Sequence, residues 1–92
     1  MPNAEVTISE NGRGGSIYYR EGENTITFDW EFGGSALALI FGTAAEHWDK
    51  NYPWAVGRQA EIYDAVAKEV VRQRAAGHPF KIDLDTGDIT IR

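Results

Sequence analysis

The chain has 92 residues and a formal net charge of −5. Because it contains no cysteine, a disulfide scaffold and a thiolate metal site are excluded. The acidic balance also argues against binding to nucleic acids or anionic membrane surfaces, which both require clustered bases. With 42% hydrophobic and 25% charged residues the composition is that of a globular chain, and its length predicts a single domain over 1–92.

The sequence contains no obvious signal for secretion or membrane insertion. The first ten residues, MPNAEVTISE, lack the basic and apolar regions of a signal peptide. The longest apolar run, ALALIF, is far shorter than the ~20 residues of a membrane span. Together with the missing cysteine these features predict a cytoplasmic protein, and the chain has the look of a small stand-alone bacterial protein.

Three strands separated by glycine turns are predicted for the first third of the chain. VTI alternates at Val6 and Ile8, SIYYRE follows the NGRGG turn, and TITFDWEF follows the GEN turn. Every second residue of TITFDWEF is apolar, which is typical of a strand with one buried and one solvated face. The buried set is Ile26, Phe28, Trp30 and Phe32, and the solvated set is Thr25, Thr27, Asp29 and Glu31.

The fourth predicted strand, ALALIF at 36–41, follows a turn at 33–35 and is apolar on both faces. Its first face comprises Leu37, Leu39 and Phe41, and its second face comprises Ala36, Ala38 and Ile40, joined by Tyr18 from the second strand. Since one helix covers only one side of a sheet, we expect a further cover for the second face. That cover is either the short helix with its aromatic segment or a second copy of the chain.

Two helices and a hairpin are predicted for the rest of the chain. Thr43 and Glu46 fit a capping box, which predicts a short helix over 44–50 that ends before Pro53. A long helix is predicted over 54–76, with Gly77 at its C-terminal end. Its apolar stripe consists of Ile62, Tyr63, Val66, Ala67, Val70 and Val71. The segment 80–92, FKIDLDTGDITIR, predicts a closing hairpin that adds to the sheet.

The predicted order of elements is therefore β-β-β-β-α-α-β-β. We expect an α+β fold in which one long helix packs across one face of an antiparallel β-sheet and forms a two-layer sandwich. The pattern leaves open which strand neighbours which.

The sequence offers two weak candidates for a metal site. DLDTGD begins like an acidic calcium loop, but Gly87 occupies the fifth position of the motif instead of the sixth, so a hairpin turn is favoured. His47 and Asp49 could ligate a metal, yet the only other histidine, His78, follows the long helix. We therefore predict neither a metal nor a cofactor.

Acid–base catalysis has little support in the pattern. Glu46, His47 and Asp49 are close in sequence, but on a helix His47 points about 100° away from Glu46 and about 200° away from Asp49. No serine stands in a nucleophile setting. These observations favour a non-catalytic role.

Two functions from different classes stay open. The first is a protein-interaction module, an acidic inhibitor or immunity-type protein that binds a basic partner, or a homodimer. The alternative is a small enzyme or ligand-binding domain with a site at the Trp48–Trp54 segment, where we expect Trp54 and one of Trp48 or Tyr52 to be largely buried. The predicted binding residues are His47, Trp48, Asp49, Tyr52, Arg58, Asp29 and Glu31.

Overall fold

Six strands form one antiparallel sheet in the computed structural model, which describes residues 4–33 and 36–92. The strands are β1 (Ala4–Asn11), β2 (Gly14–Glu21), β3 (Asn24–Glu31), β4 (Ala38–Phe41), β5 (Phe80–Asp83) and β6 (Asp88–Ile91). Their order in the sheet is β1-β2-β3-β4-β6-β5, so the closing hairpin pairs with β4 through its second arm. The predicted turn at 33–35 lies partly outside the described residues.

The helical layer consists of α1 (Ala45–Asn51), a 3-10 turn (Pro53–Ala55) and α2 (Gln59–Arg74). The predicted long helix begins later than position 54, because Gly57 adopts a φ of 75° and interrupts the helical path. The predicted capping box does not form. Ala44 is the N-cap of α1, and the Thr43 hydroxyl instead lies 3.3 Å from the Tyr52 hydroxyl.

The α+β prediction is confirmed: α2 packs across one face of the antiparallel sheet and forms a two-layer sandwich with it. The apolar stripe of α2 packs against the alternating apolar residues of the strands. The 3.6-residue period of the helix and the two-residue period of the strands therefore contribute side chains to the same core. The largest fully buried side chains are Trp48, Tyr63, Phe28, Ile17, Ile26, Ile40, Ile62, Ile89, Ile91 and Val66.

The prediction for the faces of β4 was wrong. Ala38 and Ile40 belong to the core face, because Ile40 pairs with Trp30 on β3 and with Ile89 on β6. A strand's register fixes which alternate residues face the core, and the pattern of β4 by itself left that choice open. The face with Ala38 and Ile40, for which we expected a separate cover, is therefore the face that the helices cover.

Leu39 and Phe41 point to the other side of the sheet, where Tyr18 also lies opposite Thr27. Neither α1 nor the 3-10 turn covers this side, because Trp48 of α1 packs against Tyr63 of α2 in the core layer. We call this uncovered surface of the sheet the open face. It includes Glu5, Thr7, Ser9, Ser16, Tyr18, Arg20, Thr25, Thr27, Asp29, Glu31, Leu39, Phe41, Lys81, Asp83, Asp88 and Thr90.

Within residues 4–33 and 36–92, no helix is both long enough and apolar enough to cross a membrane.

Candidate functional site

The aromatic residues of the Trp48–Trp54 segment connect α1 to the core. Trp48 is only 2% exposed, and its Nε1 donates a hydrogen bond of 2.8 Å to the carbonyl of Ala55. Its ring centroid lies 4.8 Å from Tyr52 and 5.8 Å from Tyr63, and Tyr63 in turn meets Phe28 edge-on at 5.4 Å. This chain of rings runs from the helical layer to the sheet and holds α1 in place.

The burial prediction for this segment holds in part. Trp48 is buried, whereas Trp54, which lies in the 3-10 turn, is only half-buried. Tyr52 is also half-buried, with its hydroxyl directed to Thr43. The segment is therefore mainly a structural anchor.

The polar residues of the segment do not converge on a common point. His47 is 60% exposed, and its Nε2 lies 3.3 Å from the exposed Glu46 carboxylate. Asp49 instead accepts a hydrogen bond of 3.2 Å from the backbone N–H of Gly57, where it supports the turn before α2. In the described part of the chain, no group of three or more His, Asp and Glu side chains is placed to hold a metal ion.

Arg58 is occupied by a network that joins the sheet to α2. Its Nη1 and Nη2 donate to the two carboxylate oxygens of Glu21 at 2.9 and 2.8 Å, and Nη2 also donates to Glu61 at 2.7 Å. The Tyr19 hydroxyl donates a further bond of 2.7 Å to Glu21. Four of the five N–H groups of the guanidinium are engaged with Glu21 and Glu61, so Arg58 stabilises the contact between the sheet and α2.

This network predicts a measurable acid sensitivity. Hydrogen bonds from Arg58 and Tyr19 lower the pKa of Glu21 from 4.5 to about 2. The ionised carboxylate therefore stabilises the fold above pH 4.5, and this stabilisation is lost as the pH falls through about 2. We expect Glu21→Gln to lower the free energy of unfolding by about 1–2 kcal/mol at neutral pH, after allowance for solvent screening.

The measurement is urea unfolding of wild type and Glu21→Gln over a pH series from neutral to about 2. The gap between the two proteins should close as the pH falls from about 5 to about 2, and Glu23→Gln, in an exposed turn, should follow wild type throughout. A constant gap at every pH would show that the Glu21 charge does not stabilise the fold.

The open face contains an exposed aromatic ring between carboxylates. Across one row of the sheet, Asp29 pairs with Phe41, and Phe41 pairs with Asp88. Directly paired residues on adjacent strands have Cβ atoms about 4.5–5.5 Å apart, so both acids flank the Phe41 ring. The ring remains 38% exposed. In the next row Glu31 flanks Leu39 in the same way. We call Asp29, Glu31, Leu39, Phe41 and Asp88 the acidic–apolar patch.

The acids of the patch differ from those of the helical layer in their partners. Three carboxylates on the helix side of the sheet form ion pairs with bases, namely Glu10 with Arg74, Glu61 with Arg58 and Asp64 with Lys68. Among the residues that the structure describes, the three carboxylates of the patch have no salt-bridge partner. The three carboxylates of the patch are therefore not engaged in ion pairs within the described part of the chain, although Arg20 and Lys81 also lie on the open face.

Of the predicted binding residues, the structure brings Asp29 and Glu31 together on the open face, while the five from His47 to Arg58 belong to the helical layer. Sequence reasoning missed Leu39, Phe41 and Asp88 as surface residues of one patch. The signal was present in the apolar character of both faces of β4. Only the register with β3 and β6 shows which face is uncovered.

Comparison with known protein families, with curated proteins and with solved structures finds no match for this chain.

Proposed function

We propose that the chain is a non-catalytic interaction module whose acidic–apolar patch binds a basic protein partner. The observation that supports this most strongly is an exposed Phe41 beside Leu39 and between carboxylates, on a sheet face that neither α1 nor α2 covers; within residues 4–33 and 36–92 these carboxylates form no salt bridge. An aromatic centre with a charged rim has the anatomy of a protein-binding surface.

The charge of the patch selects the class of partner. Asp29, Glu31 and Asp88 would meet Lys or Arg side chains around an apolar contact to Phe41. The net charge of −5 adds a long-range attraction that speeds the encounter with a basic protein. The same charge repels nucleic acids, whose phosphates are negative. A cysteine-free sequence fits a cytoplasmic partner pair, and an inhibitor or immunity-type role would use this surface to cover a basic site.

Self-association through the patch is disfavoured. In a two-fold dimer the same surface of both copies would meet, which would place the carboxylates of one copy against those of the other. Like charges in contact across an interface cost several kcal/mol. We therefore propose a different, basic protein as the partner and not a second copy.

A charge-reversal experiment tests this proposal. Asp29→Lys with Glu31→Lys reverses the patch, while Glu23→Lys with Glu46→Lys changes the net charge equally at exposed sites outside the patch. The wild type is used to capture a basic protein from a native lysate, and the purified partner is then titrated with all three proteins. The patch variant should bind about 100-fold more weakly or worse, and the control should bind within several-fold of wild type.

Two results would overturn the proposal. Equal weakening by both double variants would show only a non-specific charge effect. A patch variant that binds like wild type would place the partner elsewhere on the chain. Light scattering of the free protein at high concentration accompanies the titration, and a dimer that the patch variant abolishes would establish self-association instead.

A further inference from the structure

A cavity of about 160 Å³ opens between the C-terminal end of α2 and the core face of the sheet. Ile17, Trp30, Ile40 and Ile91 of the strands line it from below, and Val70 and Ala75 close it from the helix side. It lies on the opposite side of the sheet from the acidic–apolar patch, so it is independent of the function proposed above.

The wall of the cavity is fixed before any ligand arrives. Trp30 Nε1 donates a hydrogen bond of 3.0 Å to the carbonyl of Ser9, which holds the indole against β1. A Cβ at Gly15 would lie 1.9 Å from that carbonyl oxygen and 3.0 Å from the indole nitrogen, so only glycine fits there. A preformed wall lowers the entropic cost of binding.

The mouth of the cavity exposes large apolar side chains. Phe32 is 53% exposed and Leu37 is 41% exposed, and both line the opening. Phe32 also meets Trp30 edge-on, with ring centroids 5.1 Å apart, so the mouth continues the aromatic wall. A bound apolar molecule would remove part of this surface from water, which is the main favourable contribution to such binding.

The charges at the rim neutralise each other. Glu10 and Arg74 form an ion pair of 2.9 Å, and the other lining residues among those that the structure describes are apolar. A charged ligand would have to displace one partner of that pair and desolvate itself, whereas a neutral ligand need do neither. The lining therefore favours an uncharged molecule.

We infer that this cavity is a binding site for a neutral, apolar molecule of about one ring. Ligand sites for larger molecules usually enclose about 300–1,000 Å³, which excludes bulky ligands here. An apolar cavity of about 150 Å³ in another protein stays dry and takes up benzene. The volume, the apolar lining and the neutral rim all agree with a ligand of that size.

Benzene is the probe for the test. It is titrated into the wild type while NMR records the Trp30 indole N–H and the methyl groups of Ile17, Ile40 and Ile91. These signals should shift together and saturate, with a dissociation constant on the order of 1 mM or tighter. Ala38→Leu, which fills the cavity from β4, should abolish the saturable shifts, and Ala65→Leu on the exposed side of α2 should keep them.

The outcomes separate cleanly. If benzene gives no saturable shift in the wild type, or shifts the same signals equally in folded Ala38→Leu, the inference is wrong. Thermal unfolding checks that each variant is folded, and Ala75→Leu fills the cavity from the helix side if Ala38→Leu does not fold. Shifts confined to Leu39 and Phe41 would place benzene on the open face and also overturn the inference.

Discussion

Trp48→Ala is expected to lower the free energy of unfolding by about 3–5 kcal/mol, which is a large part of the total stability of so small a domain. The indole is 2% exposed, joins Tyr52 to Tyr63, and satisfies the carbonyl of Ala55. Truncation leaves a ring-sized cavity and removes one of the two hydrogen bonds to the Ala55 carbonyl, which keeps only the bond from the Arg58 backbone N–H. Urea unfolding followed by circular dichroism measures the change.

Trp54→Ala is the matched control, since it removes the same side chain from the same segment at a half-buried position. We expect it to cost about 1–2 kcal/mol, because much of its surface already contacts water. If Trp48→Ala changed stability by less than Trp54→Ala, the Trp48–Trp54 segment would not anchor the fold, and the hypothesis of a ligand site there would regain support.

Gly87→Ala is expected to destabilise the protein by about 3 kcal/mol or more. Gly87 has a φ of 85°, and a Cβ there would lie 2.5 Å from the backbone carbon of Thr43. Its carbonyl accepts hydrogen bonds of 2.9 Å from both the Gly42 N–H and the Tyr63 hydroxyl. Any shift that makes room for the methyl group would break these bonds and separate the closing hairpin from α2.

Gly77→Ala isolates the backbone contribution, because Gly77 has a φ of 86° and open space around its Cβ position. We expect it to cost only about 1–2 kcal/mol. Thermal and urea unfolding of both variants would show the difference. Equal losses would mean that the hairpin turn does not contact the Thr43 segment closely.

Most of the fold could be predicted from short patterns in the sequence. The alternation in TITFDWEF correctly predicted the buried Ile26, Phe28 and Trp30, but it was wrong for Phe32, which is 53% exposed because β3 ends at Glu31. The stripe from Ile62 to Val71 predicted the core face of α2, with Val71 only partly buried at its edge. Both patterns succeeded because burial on one side of an element imposes its own period on the sequence.

Details that depend on distant partners could not be predicted in the same way. The side chain of Thr43 fits a capping box, yet its hydroxyl meets Tyr52 and its backbone N–H bonds to the Tyr63 hydroxyl. Local capping propensity is worth about 1 kcal/mol and yields to tertiary contacts. The helix α2 begins later than predicted for a similar reason, since Gly57 bends the chain before it.

In the candidate site, too, local patterns could be predicted from the sequence, whereas contacts between distant strands could not. Asp29 and Glu31 could be assigned to a solvated face from the alternation of β3 by itself. Their neighbours Phe41 and Asp88 come from strands distant in sequence, and only the pairing of β3, β4 and β6 places them together. Arg58 was predicted as a binding residue because it lies next to the Trp48–Trp54 segment, and nothing in its local sequence indicates its pairing with Glu21 on β2.

We propose that the open face, and not the Trp48–Trp54 segment, is the binding surface for a protein partner. Hydroxyl-radical footprinting tests it directly, because it reports the solvent exposure of individual side chains with and without the captured basic partner. Binding should protect Leu39 and Phe41 and leave His47 and Trp54 unchanged. Protection of His47 and Trp54 with Phe41 still fully reactive would contradict the claim.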